Sequence, residues 1–422
     1  MTRESLVCPG CSCLCDDLDV TLEDGRIAAV ANVCLWGAGK FLATKKFRTK
    51  SPRGRLEACQ VRHRGRWQTV RYEVALEEAA ALLVQARRPL IFGLTNSGMG
   101  AQEAGLRLAR GLKARLEPAD LGFMAPFYAA IKAHGLFWAP LEVIRDEADT
   151  VLFWGANPFH SAPRHLVRYA VFARGRFTEL GIADRRVAAV DIYPTELGHF
   201  CRPFVQVQSG QELALVAEVF ARLLGGCRGE AAVAGAGELA DFLAQSHYGV
   251  MFLGRGVSYG PARELTKRLA ELTAWLNRER PFFLLPLPGD FNSAGLYHLL
   301  LREVGSPGAP DFGAGEEVVS HLTPVDFSEV DAVVVAGADL LWFLRDEQVQ
   351  DLKRRQVPLV VLSPFANRTT AQAAALFPVA LEGVEVAEEA YRLDGLPVPL
   401  KAVTSSPWPA AHRILNDLAL FC

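Results

Sequence analysis

The sequence lacks any run approaching the about 18 uninterrupted apolar residues that a membrane-spanning helix needs, so no such helix is expected. It also lacks a surplus of charge. Lys and Arg total 45 against 47 Asp and Glu, for a net charge of −2. A dedicated nucleic-acid or membrane-surface binder needs a strong basic bias, so neither kind of partner is expected. Internal repeats and low-complexity tracts are missing. No charged-then-apolar leader or twin-arginine signal opens the chain, which makes the cytoplasm the expected location. Named nucleotide motifs are missing too. Gly37-Ala38-Gly39-Lys40 has neither the Walker spacing nor a buried strand before it, and Gly254-Arg255-Gly256 is not GxGxxG. Two further gaps concern cysteine. No second CxxC pair exists, and no cysteine occurs between Cys59 and Cys201.

The 422 residues that are present are 50% hydrophobic, which excludes a mostly disordered chain. At roughly 150 residues per domain, the length suggests about three domains. Short apolar runs at 89–94, 150–155, 187–193, 249–254, 282–287, 331–337 and 358–363 are continuous rather than alternating. That pattern belongs to strands buried on both faces of a parallel sheet. Between them, 73–86, 101–115, 211–225 and 262–277 carry apolar residues at helical spacing. The class is α/β, with doubly wound sheets. Near the start, two alternating runs around Glu23-Asp24-Gly25 predict a hairpin. Residues 40–66, with Lys45, Lys46, Arg48, Lys50, Arg53 and Arg55, read as a solvated basic connector.

Five of the nine cysteines lie in the first 34 residues. A disulfide scaffold would be shorter and denser in cysteine. The spacing Cys8-x2-Cys11-x3-Cys15-x18-Cys34 suits a 4Fe–4S cluster, with a tight loop supplying three corners and a later turn the fourth. Zinc and plain structural thiols remain alternatives, although zinc ribbons more often use two CxxC pairs. Cys13 reads as a bystander, and Cys59, Cys201, Cys227 and Cys422 as small buried hydrophobes.

Ligands of open α/β sheets bind at the carboxyl ends of the strands. Six polar turns follow predicted strands: 95–100, 156–160, 191–196, 255–258, 289–292 and 363–369. Together they suggest a large, extended ligand. The stretch His160-Ser161-Ala162-Pro163-Arg164-His165, with Arg168 and Arg174 beyond it, is unusually basic, and a His pair or a solvated surface segment would both explain it. The remaining histidines, His412 among them, carry no assigned role.

Three segments resemble the B-type subunits of the formylmethanofuran dehydrogenases, within the molybdopterin oxidoreductase superfamily. They are CPGCSCLCDDL with the later CLWGAGKF, then WGANPFHSAPRHLVRYAVFARG, then EGVEVAEEAYRLDGLPVPL. The resemblance implies a small cysteine-rich iron–sulfur head over 1–55 and two doubly wound α/β domains of molybdopterin-oxidoreductase type. The first domain, 56–115 and 325–422, would be interrupted by the second, 116–324. It implies a 4Fe–4S cluster on Cys8, Cys11, Cys15 and Cys34, and a molybdenum or tungsten bis(pterin guanine dinucleotide). Asn157, Pro158, His160, Arg164 and His165 are the candidate cofactor-pocket or interface residues. The implied activity is reduction of CO2 to formate and its attachment to methanofuran, alongside amidohydrolase-like, formyltransferase and glutamate-synthase-like subunits.

Two departures redirect that expectation. The family holds its metal with a Cys or selenocysteine in the turn after the first α/β strand, and Met99 stands at that position here. Tyr193 stands where the superfamily usually has an Arg near the pterin dinucleotide. A branch of the family, the formyltransferase/hydrolase complexes, releases formate by hydrolysis without redox chemistry, and its B-type subunit lacks the metal site. The expected function is therefore a non-redox structural subunit of such a complex; the alternative is an active dehydrogenase subunit with unusual ligation.

Overall fold

The computed structural model describes residues 2–42, 54–135, 138–226, 229–315 and 318–421. Lys45, Lys46, Arg48, Lys50 and Arg53 of the basic connector, together with Cys227 and Cys422, lie outside the described residues.

The chain divides into two compact units. One comprises Met1–Leu121 with Asp290–Cys422, and the other Gly122–Gly289. The first unit opens with an antiparallel three-stranded sheet, β1 (Thr2–Leu6), β2 (Leu18–Glu23) and β3 (Arg26–Ala31), followed by the short helix α1 (Leu35–Phe41). β2 and β3 are the hairpin expected from the sequence. Its turn residues Asp24 and Gly25 both take positive φ, 49° and 71°, as a tight hairpin turn requires. The hairpin β4 (Gln60–His63) and β5 (Arg66–Thr69) follows, then helix α2 (Tyr72–Val84), β6 (Pro89–Gly93), helix α3 (Met99–Gly111) and β7 (Arg115–Pro118).

The second unit holds one sheet of five parallel strands. They are β8 (Thr150–Trp154), β9 (Arg186–Asp191), β10 (Phe204–Gln206), β11 (Gly249–Gly254) and β12 (Phe282–Leu287), in the order β10-β9-β8-β11-β12. The chain then returns to the first unit with β13 (Ala309–Asp311), β14 (Val319–His321), β15 (Ala332–Ala336), β16 (Leu359–Ser363) and β17 (Ala375–Pro378). Its sheet has nine strands, ordered β14-β13-β7-β6-β15-β16-β17-β4-β5. The central five, β7 to β17, pair in parallel, and an antiparallel hairpin extends each side. A last hairpin, β18 (Glu388–Tyr391) and β19 (Pro397–Leu400), precedes the final helix Ala411–Phe421.

The continuous apolar runs are explained by burial on both faces. Ile91, Val334, Ala336, Val360 and Leu362 belong to one core cluster, with α2, α3 and the final helix. Leu90, Phe92, Val333, Val335, Leu359 and Val361 belong to another. Successive strand residues point to opposite faces, so each run feeds two cores at once.

The units differ from the domain limits expected from the sequence at both ends of the insert, since residues 116–121 also belong to the first unit. Residues 290–324, expected in the inserted segment, pack in the first unit, because β13 pairs with β7 and extends its sheet. The three-stranded head is not a third unit either. Leu393 N–H donates to the Ser12 carbonyl at 2.9 Å, and Leu14 packs with Phe291, Ala390 and Leu400.

Candidate functional site

The cysteine loop lies between β1 and β2. Cys8 N–H donates to the Cys15 carbonyl at 2.8 Å, and Leu14 N–H to the Cys11 carbonyl at 3.1 Å, folding the eight residues into a closed turn. Leu14 adopts a φ of 39°, the left-handed region a non-glycine residue seldom visits. Two glycines let α1 lie against this turn. A Cβ on Gly10 would sit 2.7 Å from Gly37 N, and one on Gly37 would sit 2.6 Å from Cys8 Sγ. Cys34 caps α1 through its carbonyl, which accepts from Ala38 N–H at 2.8 Å.

Cys8, Cys11, Cys13 and Cys15 are buried and Cys34 is half-buried. Burial pushes the Cys8 thiol far above its ordinary range, and the charges of Cys15, Cys11 and Cys34 add to the rise. Four thiolates therefore do not coexist here without a compensating positive charge. Cys13 shares a hydrogen bond with Cys11 that pulls Cys11 down and, with burial, pushes Cys13 up. Lys40, on α1, sits 4.1 Å from the centroid of the Phe291 ring. Desolvation lowers its ammonium to about 8, against the charges of Cys8, Glu382, Asp290 and Cys11. Among the described residues, no three His, Cys, Asp or Glu side chains gather around one ion position. A tetrahedral zinc holds each sulfur about 2.3 Å from a single ion, whereas a cubane spreads four thiolates over separate irons.

The turn after β6, where the family's metal ligand is expected, is tightly wired. Leu94, at φ 67°, donates its N–H to the Ala336 carbonyl at 2.7 Å. Gln102 Nε2, fully buried, donates to the carbonyls of Leu94, Ser97 and Asn292 at 3.0, 3.2 and 2.8 Å. Asn292 Nδ2 donates to the Ser97 carbonyl at 2.8 Å, and Thr95 Oγ1 to Asp290 Oδ2 at 2.8 Å. Met99 is the first residue of α3, is 8% exposed, and belongs to the core cluster of α2, α3 and the final helix. Its sulfur packs where a Cβ on Gly295 would sit, 2.7 Å away.

Two of the free amides at the start of α3, those of Gly98 and Gly100, are answered by carboxylates of the chain. Gly98 N–H donates to Glu382 Oε2 at 2.6 Å, and Gly100 N–H to Glu388 Oε2 at 3.2 Å. His412 Nδ1 lies 2.8 Å from Glu388 Oε1. Glycine is needed at 98, since a Cβ there would fall 2.7 Å from the Glu388 side chain. Burial, then the charge of Glu388, raises the Glu382 carboxyl to about 7. The hydrogen bond to Glu388 raises His412. A helix N-terminus is a natural anion site, and here two carboxylates of the same chain fill it. The residues at this turn do not fit a thiolate-held molybdenum or tungsten. A consequence is testable: Met99→Leu, a volume-conserving core swap, is expected to cost less than about 1.5 kcal/mol in urea unfolding.

The candidate residues of the second unit do not form one group. Asn157 caps the short helix Pro158–Ser161 by accepting from Phe159 N–H at 3.2 Å, and its Nδ2 donates to Glu196 Oε2 at 2.7 Å. His160 is exposed and pairs with the other Glu196 oxygen at 3.0 Å. Pro158 is buried beneath them, and Arg164 is half-buried. His165 is a core residue. Its ring meets Phe252 edge to face at 4.4 Å, neither nitrogen has a hydrogen bond among the described residues, and burial lowers it to about 3. His160 and His165 are thus not a catalytic pair. Tyr193 points to solvent. Gly155 and Gly256, after β8 and β11, meet through Gly256 N–H donating to the Gly155 carbonyl at 2.8 Å, at the point where the strand order reverses. A shallow cleft beside them is lined by Asp191, Ile192 and Glu212. Cys59 and Cys201 are core thiols, raised by burial to about 11 and about 12.

Sequence reasoning misses Lys40, Gln102, Glu382, Glu388 and His412. The signals are that Lys40 lies in CLWGAGKF and that EGVEVAEE, residues 382–389, lies in a second segment already singled out.

No protein-family model matches the chain. It is 31% identical over 418 residues to the B-type subunit of tungsten-containing formylmethanofuran dehydrogenase 2 from Methanocaldococcus jannaschii, covering 96% of this chain and 94% of that one. The counterpart from Methanococcus maripaludis is 29% identical over the same shares. Among solved structures, a chain of the formyltransferase/hydrolase complex of Methylorubrum extorquens, in complex with methylofuran, matches with a TM-score of 0.66 at 22% identity, over 86% of this chain and 98% of that one. Acetylene hydratase from Pelobacter acetylenicus shares the fold at a TM-score of 0.66 and 11% identity, over 100% of this chain and 69% of its own. The 31% identity with the Methanocaldococcus protein over 96% of this chain places it in the family of formylmethanofuran dehydrogenase B-type subunits.

Proposed function

We propose that this chain is a non-redox structural subunit of a formyltransferase/hydrolase-type complex in one-carbon metabolism on a methanofuran-type carrier. The observation that carries this reading is the turn after β6. Met99 sits in the core, and Glu382 and Glu388 occupy the α3 amides. A neutral thioether is a poor replacement for a thiolate on a high-valent metal, and this one is packed among apolar side chains. The Methylorubrum complex with the shared fold supports the reading, since it is a formyltransferase/hydrolase bound to methylofuran. The partners are then amidohydrolase-like, formyltransferase and glutamate-synthase-like subunits, and the setting is cytoplasmic.

The thiols are a separate matter. Cys8, Cys11, Cys15 and Cys34 are a donor set that suits a 4Fe–4S cluster: four thiols from one closed turn and one helix cap, with a cationic Lys40 beside them. A cluster bound there supplies one-electron chemistry in an electron-transfer chain, and folding energy wherever it sits. In this subunit the second contribution is the one assigned. A second reading, an active dehydrogenase subunit, draws on the two tungsten-containing relatives.

Elemental analysis of the purified complex separates the two. The expected result is about four irons per chain and no stoichiometric molybdenum or tungsten. Stoichiometric tungsten, with viologen reduction by formate or formylmethanofuran, would overturn the proposal.

A further inference from the structure

Residues 171–185 of the second unit form a loop, with a 3-10 turn at Gly181–Asp184, that is tied to the backbone at Arg145–Asp146 by hydrogen bonds. At its base lies Arg185, buried, with all five guanidinium N–H donors used. Nε donates to the Ala148 carbonyl at 3.2 Å. Nη1 donates to the carbonyls of Val171 and Ala173, and Nη2 to the Arg145 carbonyl and Thr178 Oγ1. Thr178 Oγ1 itself donates to the Arg145 carbonyl at 2.9 Å, and Phe177 N–H to the Asp146 carbonyl at 2.9 Å. Gly175 comes so close to the Arg145 carbonyl that a Cβ would lie 2.1 Å away.

This pinned loop turns apolar side chains outward. Phe177 is 60% exposed and Leu180 68%, and Phe172 and Phe159 are also exposed. Phe159 and Phe172 both pack on Phe200, with ring centroids at 6.3 and 5.2 Å, which joins them into one aromatic surface. A frayed loop exposes such residues by accident. A loop fixed by a fully bonded buried arginine exposes them by construction. Apart from the buried Arg185, residues 159–185 carry Arg164, Arg168, Arg174 and Arg176 against Glu179 and Asp184, a local excess of positive charge. The Arg176 guanidinium lies 5.0 Å from the Phe177 ring centroid. Aromatic residues and arginine on a rigid surface are what energetically dominant interface patches contain.

We infer that the Phe159–Phe172–Phe177–Leu180 face is the docking surface for another subunit of the complex, one presenting an apolar patch edged with carboxylates. The inference rests on the reading of this chain as one subunit of an assembly, but not on the metal question, so elemental analysis can fail while this stands.

The test purifies the complex through a tag on this chain. Phe177→Ser with Leu180→Ser is expected to cut recovery of partner subunits at least tenfold while leaving the melting curve of the full chain alone unchanged. Arg174→Glu with Arg176→Glu is expected to weaken assembly and flatten its salt dependence. Leu224→Ser, at an exposed site elsewhere in the unit, is the control and leaves assembly intact. Unchanged recovery from the Phe177/Leu180 variant would overturn the inference. So would loss of a homodimer with partner binding retained, which would assign the face to a second copy. Hydrogen exchange on the chain alone checks the rigidity: amides of 171–185 are expected to be protected, and fast exchange there would remove the argument from construction.

Discussion

Cys11→Ser is expected to abolish the visible thiolate-to-iron absorption of the chain and to unfold its head selectively. The head has little else to hold it. Its interior amounts to residues such as Leu6, Leu18, Val20, Ile27 and Phe41, with Leu14 joining the small cluster of Phe291, Ala390 and Leu400. Such a core is marginal alone. Binding energy at a site that exists only in the folded chain is folding energy, about 10–16 kcal/mol for structural zinc in zinc-finger peptides, and a cluster on four thiolates acts in the same direction. Without it, Cys8 takes up a proton, since burial and the charges of Cys15, Cys11 and Cys34 push its thiol far above the ordinary range. Hydrogen exchange should accelerate over residues 2–42 and leave the strands of the second unit as they were. Cys13→Ser separates ligand from neighbour: Cys13 only shares a hydrogen bond with Cys11, so the spectrum should survive. An unchanged spectrum in Cys11→Ser would sink the ligand assignment. A colourless wild-type protein holding one zinc would sink the cluster.

Local chemistry is legible in this sequence and long-range chemistry is not. The β2–β3 hairpin can be read because two alternating runs flank Asp24-Gly25, and most of the parallel strands because burial on both faces confines polar residues such as Thr150, Arg186, Asp191 and Ser363 to their ends. The cysteine loop is equally plain, since its donors sit within a few residues of one another. β1 escapes notice: Thr2–Leu6 carries too little alternation, and only pairing with β2 makes it a strand. The far end of the inserted segment is also hidden. Residues 290–324 belong to the first unit because the helix Ser293–Val304 packs Leu296, Leu299 and Leu300 into its core and β13 joins its sheet through Asp311 and Arg115. His160 and His165 look paired by their spacing. The short helix and the turn at Leu166–Ala170 send one ring to solvent and the other into the core. The α3 cap is invisible for a simple reason: Gly98 and Glu382 are 284 residues apart. Sequence shows that a thiolate is missing at Met99. It does not show that carboxylates have taken the helix terminus.

That replacement predicts how stability varies with pH. Glu382 lies at about 7 in the folded chain against an ordinary 4.5, because burial penalises its charge and Glu388 repels it. The Gly98 amide, Lys40 and His412 pull the other way but do not restore it. Its second oxygen, Oε1, is buried with no hydrogen-bond partner among the described residues, so desolvation is only half offset. A raised carboxyl binds its proton more tightly folded than unfolded. The stability this brings is complete below about 4.5 and is lost as pH rises through about 7. His412, raised by Glu388, has the same sign: its contribution is present below the unfolded value and lost above the folded one. The shift on Glu382 corresponds to at most about 3–4 kcal/mol. Glu382→Gln keeps an acceptor for the Gly98 amide but cannot ionise. The variant is therefore expected to match the wild type near pH 5 and to exceed it by about 2 kcal/mol at pH 8. The measurement is the urea midpoint at both pH values, with hydrogen exchange over α3 reporting the local effect. The opposite outcome is equally informative. If Glu382→Gln is the weaker protein at pH 8, the ionised carboxylate is itself holding the α3 amides. Glu382 would then bind there as an anion in its own right, in the position that a phosphate takes at other helix N-termini.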